Sequence, residues 1–162
     1  VWACPAHYYT NFTYWTQHCW GVTCVNDMEA MLSYQPITIG DKEQALADLV
    51  RCYEKMMMRS HTNGGYVNLL DECWKMCEKF HTNIVIMYDH VSCKNVGGLH
   101  GLFEDQARER GIHLIWIPHD VMDPRTVSRR EMREAFSQYM VTVLNEKPLD
   151  PTLLDYEDAL SW

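Results

Sequence analysis

Ile84-Val-Ile-Met-Tyr-Asp-His-Val-Ser-Cys-Lys-Asn-Val-Gly-Gly98 decides the fold. Its apolar run ends at Tyr88, a short polar loop follows, and paired glycines open a helical pattern. The order is strand, loop, helix. In open α/β sheets, ligands bind where strands deliver their loops, at the carboxyl edge. Cys93 falls in such a loop, one turn before a helix start, among backbone N–H donors and the positive helix end that favour thiolate. A cysteine here is either an inert turn residue or a ligand or nucleophile.

Outward from this unit the alternation continues. Val1–Cys4 reads as strand one, ended by Pro5. His7 to Trp20 is aromatic and helical, with Gly21 as its stop. Val22-Thr-Cys-Val25 reads as strand two, and Asn26–Gly40 as a loop. Asp41 caps a helix, with Gln44 three residues on. Leu46, Leu49, Val50, Tyr53 and Met57 recur at helical spacing. After Thr62-Asn-Gly-Gly65, a second helix carries Tyr66, Leu69, Leu70, Cys73, Cys77 and Phe80 on one face. Cys73 and Cys77 are neighbours one turn apart, a metal pair or, on the simpler reading, buried structural thiols.

Ile84–Tyr88 is strand three. A helix after Asn95 turns Leu99, Leu102 and Phe103 inward and ends at Gly111. Ile112-His-Leu-Ile-Trp-Ile117 is strand four, ended by Pro118. Ser128 with Glu131 is a capping box for a last helix that buries Met132, Ala135, Phe136, Tyr139, Met140 and Val143. Four strands alternating with helices predict a four-stranded parallel sheet with helices on both faces, a flavodoxin- or Rossmann-like three-layer sandwich. Residues 1–146 form one α/β domain. Residues 147–162, with two prolines and four acidic residues, form a tail that is either a docking strap or disordered.

The 162 residues suit one domain, and 47% apolar content with six tryptophans supplies a core. A net charge of −8 argues against nucleic acid, which needs a basic footprint. Arg125, Arg129, Arg130 and Arg133 do cluster, but Glu131 and Glu134 interleave with them as on a solvated helix face. There is no apolar run of about 18 residues, hence no membrane span. No signal peptide is visible, and a start at Val1 in a strand-like run suggests a piece of something longer. The seven cysteines include no C-x-x-C pair. Several lie in apolar stretches, as suits reduced thiols in a cytoplasmic protein.

At the carboxyl edge the loops gather Pro5, His7 and Tyr8; Asn26 and Asp27; Asp89, His90, Ser92 and Cys93; and His119, Asp120 and Asp123. His7, His90, Cys93 and His119 are candidate ligands for a small zinc-dependent enzyme, though no local ligand pair supports it. No G-x-G-x-x-G and no Walker motif is present. Gly97-Gly98 permits close approach of a ligand, or tight helix–sheet packing. A cofactor-free, flavodoxin-like domain that docks a partner fits the same pattern.

The Ser92-Cys93-Lys94 loop and the segment Pro118-His-Asp-Val-Met-Asp-Pro-Arg125 with Ser128-x-x-x-Met132-x-x-Ala135-Phe136 carry a resemblance. So does the opening, a strand, a proline turn, an aromatic helix and Gly21-Val-Thr-Cys-Val25. Over roughly residues 1–145 the pattern resembles the 2-hydroxyacyl-CoA dehydratase and benzoyl-CoA reductase family, in the C-terminal domain of one subunit. The resemblance implies two related subunits, each with an iron–sulfur cluster, most often a 4Fe-4S cluster on three cysteines with one iron left open. It also implies a separate ATP-hydrolysing activator, which injects one low-potential electron to make a ketyl radical on the acyl-CoA.

Cys93 is the one residue that carries over as a metal ligand, with Gly97 and Gly98 beside it at the cofactor. The family's other ligands lie in an N-terminal domain, and the remaining cysteines here do not replace them. The resemblance therefore implies an enzyme whose isolated domain is inactive and holds no stable cluster. No catalytic residue and no particular acyl group can be assigned.

Overall fold

A computed structural model of the chain describes residues 11–28, 36–54, 56, 59, 64–120, 122–123 and 125–155. Among the described residues the helices are α1 (Phe12–Trp20), α2 (Lys42–Glu54), α3 (Tyr66–Phe80), the short α4 (Lys94–Gly97), α5 (His100–Arg110) and α6 (Arg129–Thr142). Strand β1 (Ile84–His90) lies between α3 and α4, and β2 (His113–His119) between α5 and α6. A single 3₁₀ turn, Pro151–Leu153, follows α6.

The two strands pair in parallel, from Ile84 opposite His113 to His90 opposite His119. Side chains alternate across a strand, so each strand feeds two cores. Val85, Met87 and Leu114 join Leu69, Leu70, Cys73, Trp74 and Cys77 of α3 and Phe103 and Ala107 of α5. Ile86, Tyr88, Ile115 and Ile117 join Phe12, Trp15, Cys19 and Trp20 of α1 and Met132, Phe136 and Met140 of α6. Phe136 is fully buried, with its ring edge-on to Phe12 at 5.7 Å and to Trp15 at 5.7 Å. Such tilted contacts suit the ring quadrupole and add to the area buried.

The four-stranded sheet, and with it the flavodoxin- or Rossmann-like three-layer sandwich, is a correction. Among the described residues the sheet has two strands. Val1–Cys4 lies outside them. Residues 22–25 are described and form no strand. They leave α1 through Gly21, whose left-handed backbone closes the helix, and the Val22 N–H turns back to the Thr16 carbonyl at 3.0 Å. A strand of a parallel sheet needs both faces covered. Thr23, Cys24 and Val25 are exposed, so the apolar tetrapeptide lacks that cover.

Other expectations shift in detail. β1 runs two residues past Tyr88, and β2 passes through Pro118 to His119. The helix expected after Asn95 is split into α4 and α5 at Gly98-Leu99. Asp41 Oδ1 does cap α2, accepting from the N–H groups of Glu43 (3.0 Å) and Gln44 (3.1 Å). The Gln44 side chain reaches forward to Asp48 at 2.8 Å instead of back to the cap. The apolar stripe of α2 is open: Leu46 is 50%, Val50 57% and Tyr53 59% exposed, and Asp48 is the one buried residue.

The tail docks. Leu149 N–H reaches the Cys19 carbonyl at 2.7 Å, and Trp15 Nε1 donates to the Leu153 carbonyl at 2.8 Å. Among the described residues no helix is long and apolar enough to cross a membrane.

Candidate functional site at the carboxyl ends of the strands

The pairing of His90 with His119 brings both strands' carboxyl ends to one place. The two imidazoles meet edge to face, with centroids 5.1 Å apart, and Tyr88 lies edge-on to His119 at 5.4 Å. His119 is fully buried and His90 nearly so. Both belong to the face packed on α1 and α6.

The chain leaves β1 in a tight turn. Cys93 N–H donates to the His90 carbonyl at 2.9 Å, and Val91 N–H crosses to the His119 carbonyl at 3.2 Å. Cys93 is half-buried and stands as the capping residue of α4, its carbonyl accepting the Gly97 N–H at 3.1 Å. Ser92 turns back on the strand: its N–H lies 3.1 Å and its Oγ 2.9 Å from His90 Nδ1. On the ring's other side, His90 Nε2 faces Asp120 Oδ1 at 3.6 Å. That oxygen also accepts the N–H groups of Met122 (2.9 Å) and Asp123 (3.2 Å). The Met122 bond, with the Asp123 bond behind it, holds the Asp120 carboxyl below the usual carboxylate range.

Asp89 points to the opposite face of the sheet. Its Oδ2 lies 3.4 Å from His100 Nε2, and the His100 ring stacks on Trp116 at 3.6 Å. Sequence reasoning missed His100. It opens α5 two residues after a glycine pair, and nothing in a linear pattern marks a ring that meets Trp116 only through strand register.

A Cβ on Gly97 would meet only Asp89 Oδ1, at 4.0 Å, whereas one on Gly98 would press on the Lys94 carbonyl at 3.3 Å. Gly97 therefore leaves room above Asp89, and Gly98 relieves crowding inside the turn.

The structure thus places Asp89, His90, Ser92, Cys93, His119, Asp120 and Asp123 at the carboxyl end of the strands, with Asp89 on the opposite face from His90 and His119. Pro5, His7 and Tyr8 lie outside the described residues. Asn26 and Asp27 follow no strand; Asn26 lines a cavity of about 50 Å3 with Cys24, Cys73, Cys77 and Tyr88. A larger hollow of about 380 Å3 lies by His113 and Leu114, at the opposite end of β2 from Cys93. Among the described residues no three His, Cys, Asp or Glu side chains are placed to hold a metal ion. The zinc reading therefore has no assembled site there.

Cys4 lies outside the described residues, and the other described cysteines sit elsewhere. Cys73 and Cys77 are buried under the sheet; the Cys73 S–H bond to Cys77, and then burial, push the Cys73 thiol well up. Burial, with the Asp150 carboxylate second, pushes Cys19 up to about 11. Cys52 lies on α2. Cys93 is the one thiol of the described residues at the carboxyl edge.

No curated protein and no solved structure matches the chain. One family model does match, that of the 2-hydroxyglutaryl-CoA dehydratase D-component, over residues 1–140. With most of its length covered by that match, the chain belongs to the 2-hydroxyglutaryl-CoA dehydratase D-component family.

Proposed function

We propose that this chain forms part of an iron–sulfur subunit of a 2-hydroxyacyl-CoA dehydratase or related acyl-CoA reductase, and that Cys93 is the cluster ligand it contributes. The observation that carries the reading is the placement of Cys93: a half-buried thiol in the turn leaving β1, at the edge where open α/β sheets bind ligands. The donor set fits one ligand and not three, so the reading assigns the remaining cluster ligands to residues other than the described ones. When bound, a low-potential cluster of this kind supplies single electrons to an acyl-CoA thioester.

The chain's own residues hold and shape the site. Cys93, as thiolate, fixes one corner of the cluster. Asn95 and Val96 lie in the turn that follows Cys93, and on this reading their backbone N–H groups serve the cluster. They can donate to sulfur or to a thioester oxygen. Gly97, bare of a side chain, keeps that side of the turn open, and Gly98 lets it fold tightly. On this reading the working enzyme also needs an acyl-CoA substrate, a related second subunit and an ATP-driven electron donor.

The test is Cys93→Ala in the assembled enzyme, with Cys52→Ala as control. Cys93 sits on a turn, so its loss opens no large core cavity. Far-UV circular dichroism should stay near wild type while iron per subunit and turnover collapse. The control should keep both. Full iron and activity in the Cys93 variant would overturn the assignment.

A further inference from the structure

We infer that His90 is a positioning residue for Cys93: its imidazole clamps the Ser92–Cys93 turn through Nδ1 and is braced by Asp120 through Nε2. The inference deepens the ligand reading of Cys93 and rests on it for its purpose, though not for its geometry.

The tautomer follows from the contacts. A backbone N–H can only donate, and the Ser92 N–H ends on His90 Nδ1 at 3.1 Å. Nδ1 is therefore a bare acceptor, and the Ser92 hydroxyl at 2.9 Å donates to it as well. The ring proton then sits on Nε2, which points at Asp120 Oδ1, 3.6 Å away. Asp120 cannot swing off, because two backbone N–H groups hold the same oxygen. A carboxylate facing one ring nitrogen favours the tautomer that carries its proton there.

Cys93 is therefore tied to His90 by two routes. Its own N–H binds the His90 carbonyl at 2.9 Å, and its neighbour Ser92 is bound twice to the ring. The ring in turn is wedged against His119. An apolar residue at this buried strand end would fill the space equally well. It would leave both Ser92 donors without their acceptor, and the turn would lose two bonds, both on the residue before the thiol.

Two amides separate the arms. In His90→Asn the side-chain oxygen lies where Nδ1 was and still accepts from Ser92. In His90→Gln the amide reaches the Nε2 position and still meets Asp120, but Ser92 loses its acceptor. The readout is the rate at which iodoacetamide alkylates Cys93 in the full chain, followed by mass spectrometry of the peptide that contains it. His90→Asn should stay within about twofold of wild type, while His90→Gln should alkylate about fivefold faster, on the order of two weak hydrogen bonds lost.

In the iron-loaded enzyme the cluster's electron paramagnetic resonance signal should shift in His90→Gln and return in His90→Asn, at unchanged iron content. Equal rates in all three proteins, or a His90→Asn rate as altered as that of His90→Gln, would overturn the clamp. Should either amide fail to fold, Ser92→Ala on the exposed turn removes the hydroxyl arm alone. It should raise the rate about twofold, and an unchanged rate overturns the clamp. The two readings fail separately. Iron retained in Cys93→Ala sinks the ligand role, whereas wild-type alkylation in His90→Gln sinks the clamp.

Discussion

Cys73 shows how a cysteine's neighbours decide its chemistry. It shares the buried face of α3 with Leu69, Leu70 and Cys77, and its S–H is spent on Cys77. A thiol so raised carries almost no thiolate at neutral pH, and thiolate is the reactive form. In the native chain Cys73 should resist iodoacetamide while exposed Cys24 reacts; comparable rates would contradict this. Cys73→Ala should cost about 1–2 kcal/mol of stability, as for a small core truncation, read from urea melts.

At the scale of elements, Asp48 governs α2. Its Oδ2 accepts from Thr38 Oγ1 (2.7 Å) and Thr38 N–H (3.0 Å), and its Oδ1 from Gln44 and Arg51. These bonds, Thr38's first, hold its carboxyl below the ordinary range. A depressed acid binds protons more readily in the unfolded chain. Its stabilising effect is therefore full at neutral pH and fades as pH falls through the unfolded value, near 4, and then the folded one. Asp48→Asn should lower the urea midpoint at pH 7, and the gap from wild type should close below about pH 4. A gap unchanged at low pH would show that the hydrogen bonds are not the cause.

Local signals carried well into the structure. The Ser128–Glu131 capping box forms in both directions, with Ser128 N–H on Glu131 Oε2 at 2.6 Å and Glu131 N–H on Ser128 Oγ at 3.1 Å. Gly21 and Gly111 both stop helices in the left-handed conformation, because that backbone favours glycine. The strand–turn order around Cys93 was legible because the apolar run and the glycine pair are local. Strand two was misread because Val22–Val25 has strand composition but no cover on its second face, and cover is a tertiary property. Likewise the stripe of α2 has helical spacing, yet spacing does not say whether anything packs on it. The His90–Asp120 contact depends on parallel register between segments 30 residues apart, which no single-chain pattern encodes.

For the whole molecule, the two cores and residues 149–153 account for the seating of Cys19, Cys73 and Cys77, and among the described residues Cys93 is the one thiol at the functional edge. Metal affinity depends on a complete deprotonated ligand set. The chain alone, reconstituted anaerobically with iron and sulfide, should remain nearly colourless. A stoichiometric 4Fe-4S spectrum would show that another three-thiolate site exists. That outcome would also unseat Cys93 as the single ligand contributed by the described residues.

The open stripe of α2 has a colloidal consequence. At pH 7 the chain carries a net charge of −8, so mutual repulsion keeps Leu46, Leu49, Val50 and Tyr53 of different molecules apart. That repulsion vanishes near the isoelectric point of about 5.4, while the oily stripe is untouched by pH. Static light scattering should rise sharply there. Leu46→Gln with Val50→Gln, which leave the titration curve alone, should flatten the rise. If both proteins cloud alike, the stickiness resides elsewhere on the surface.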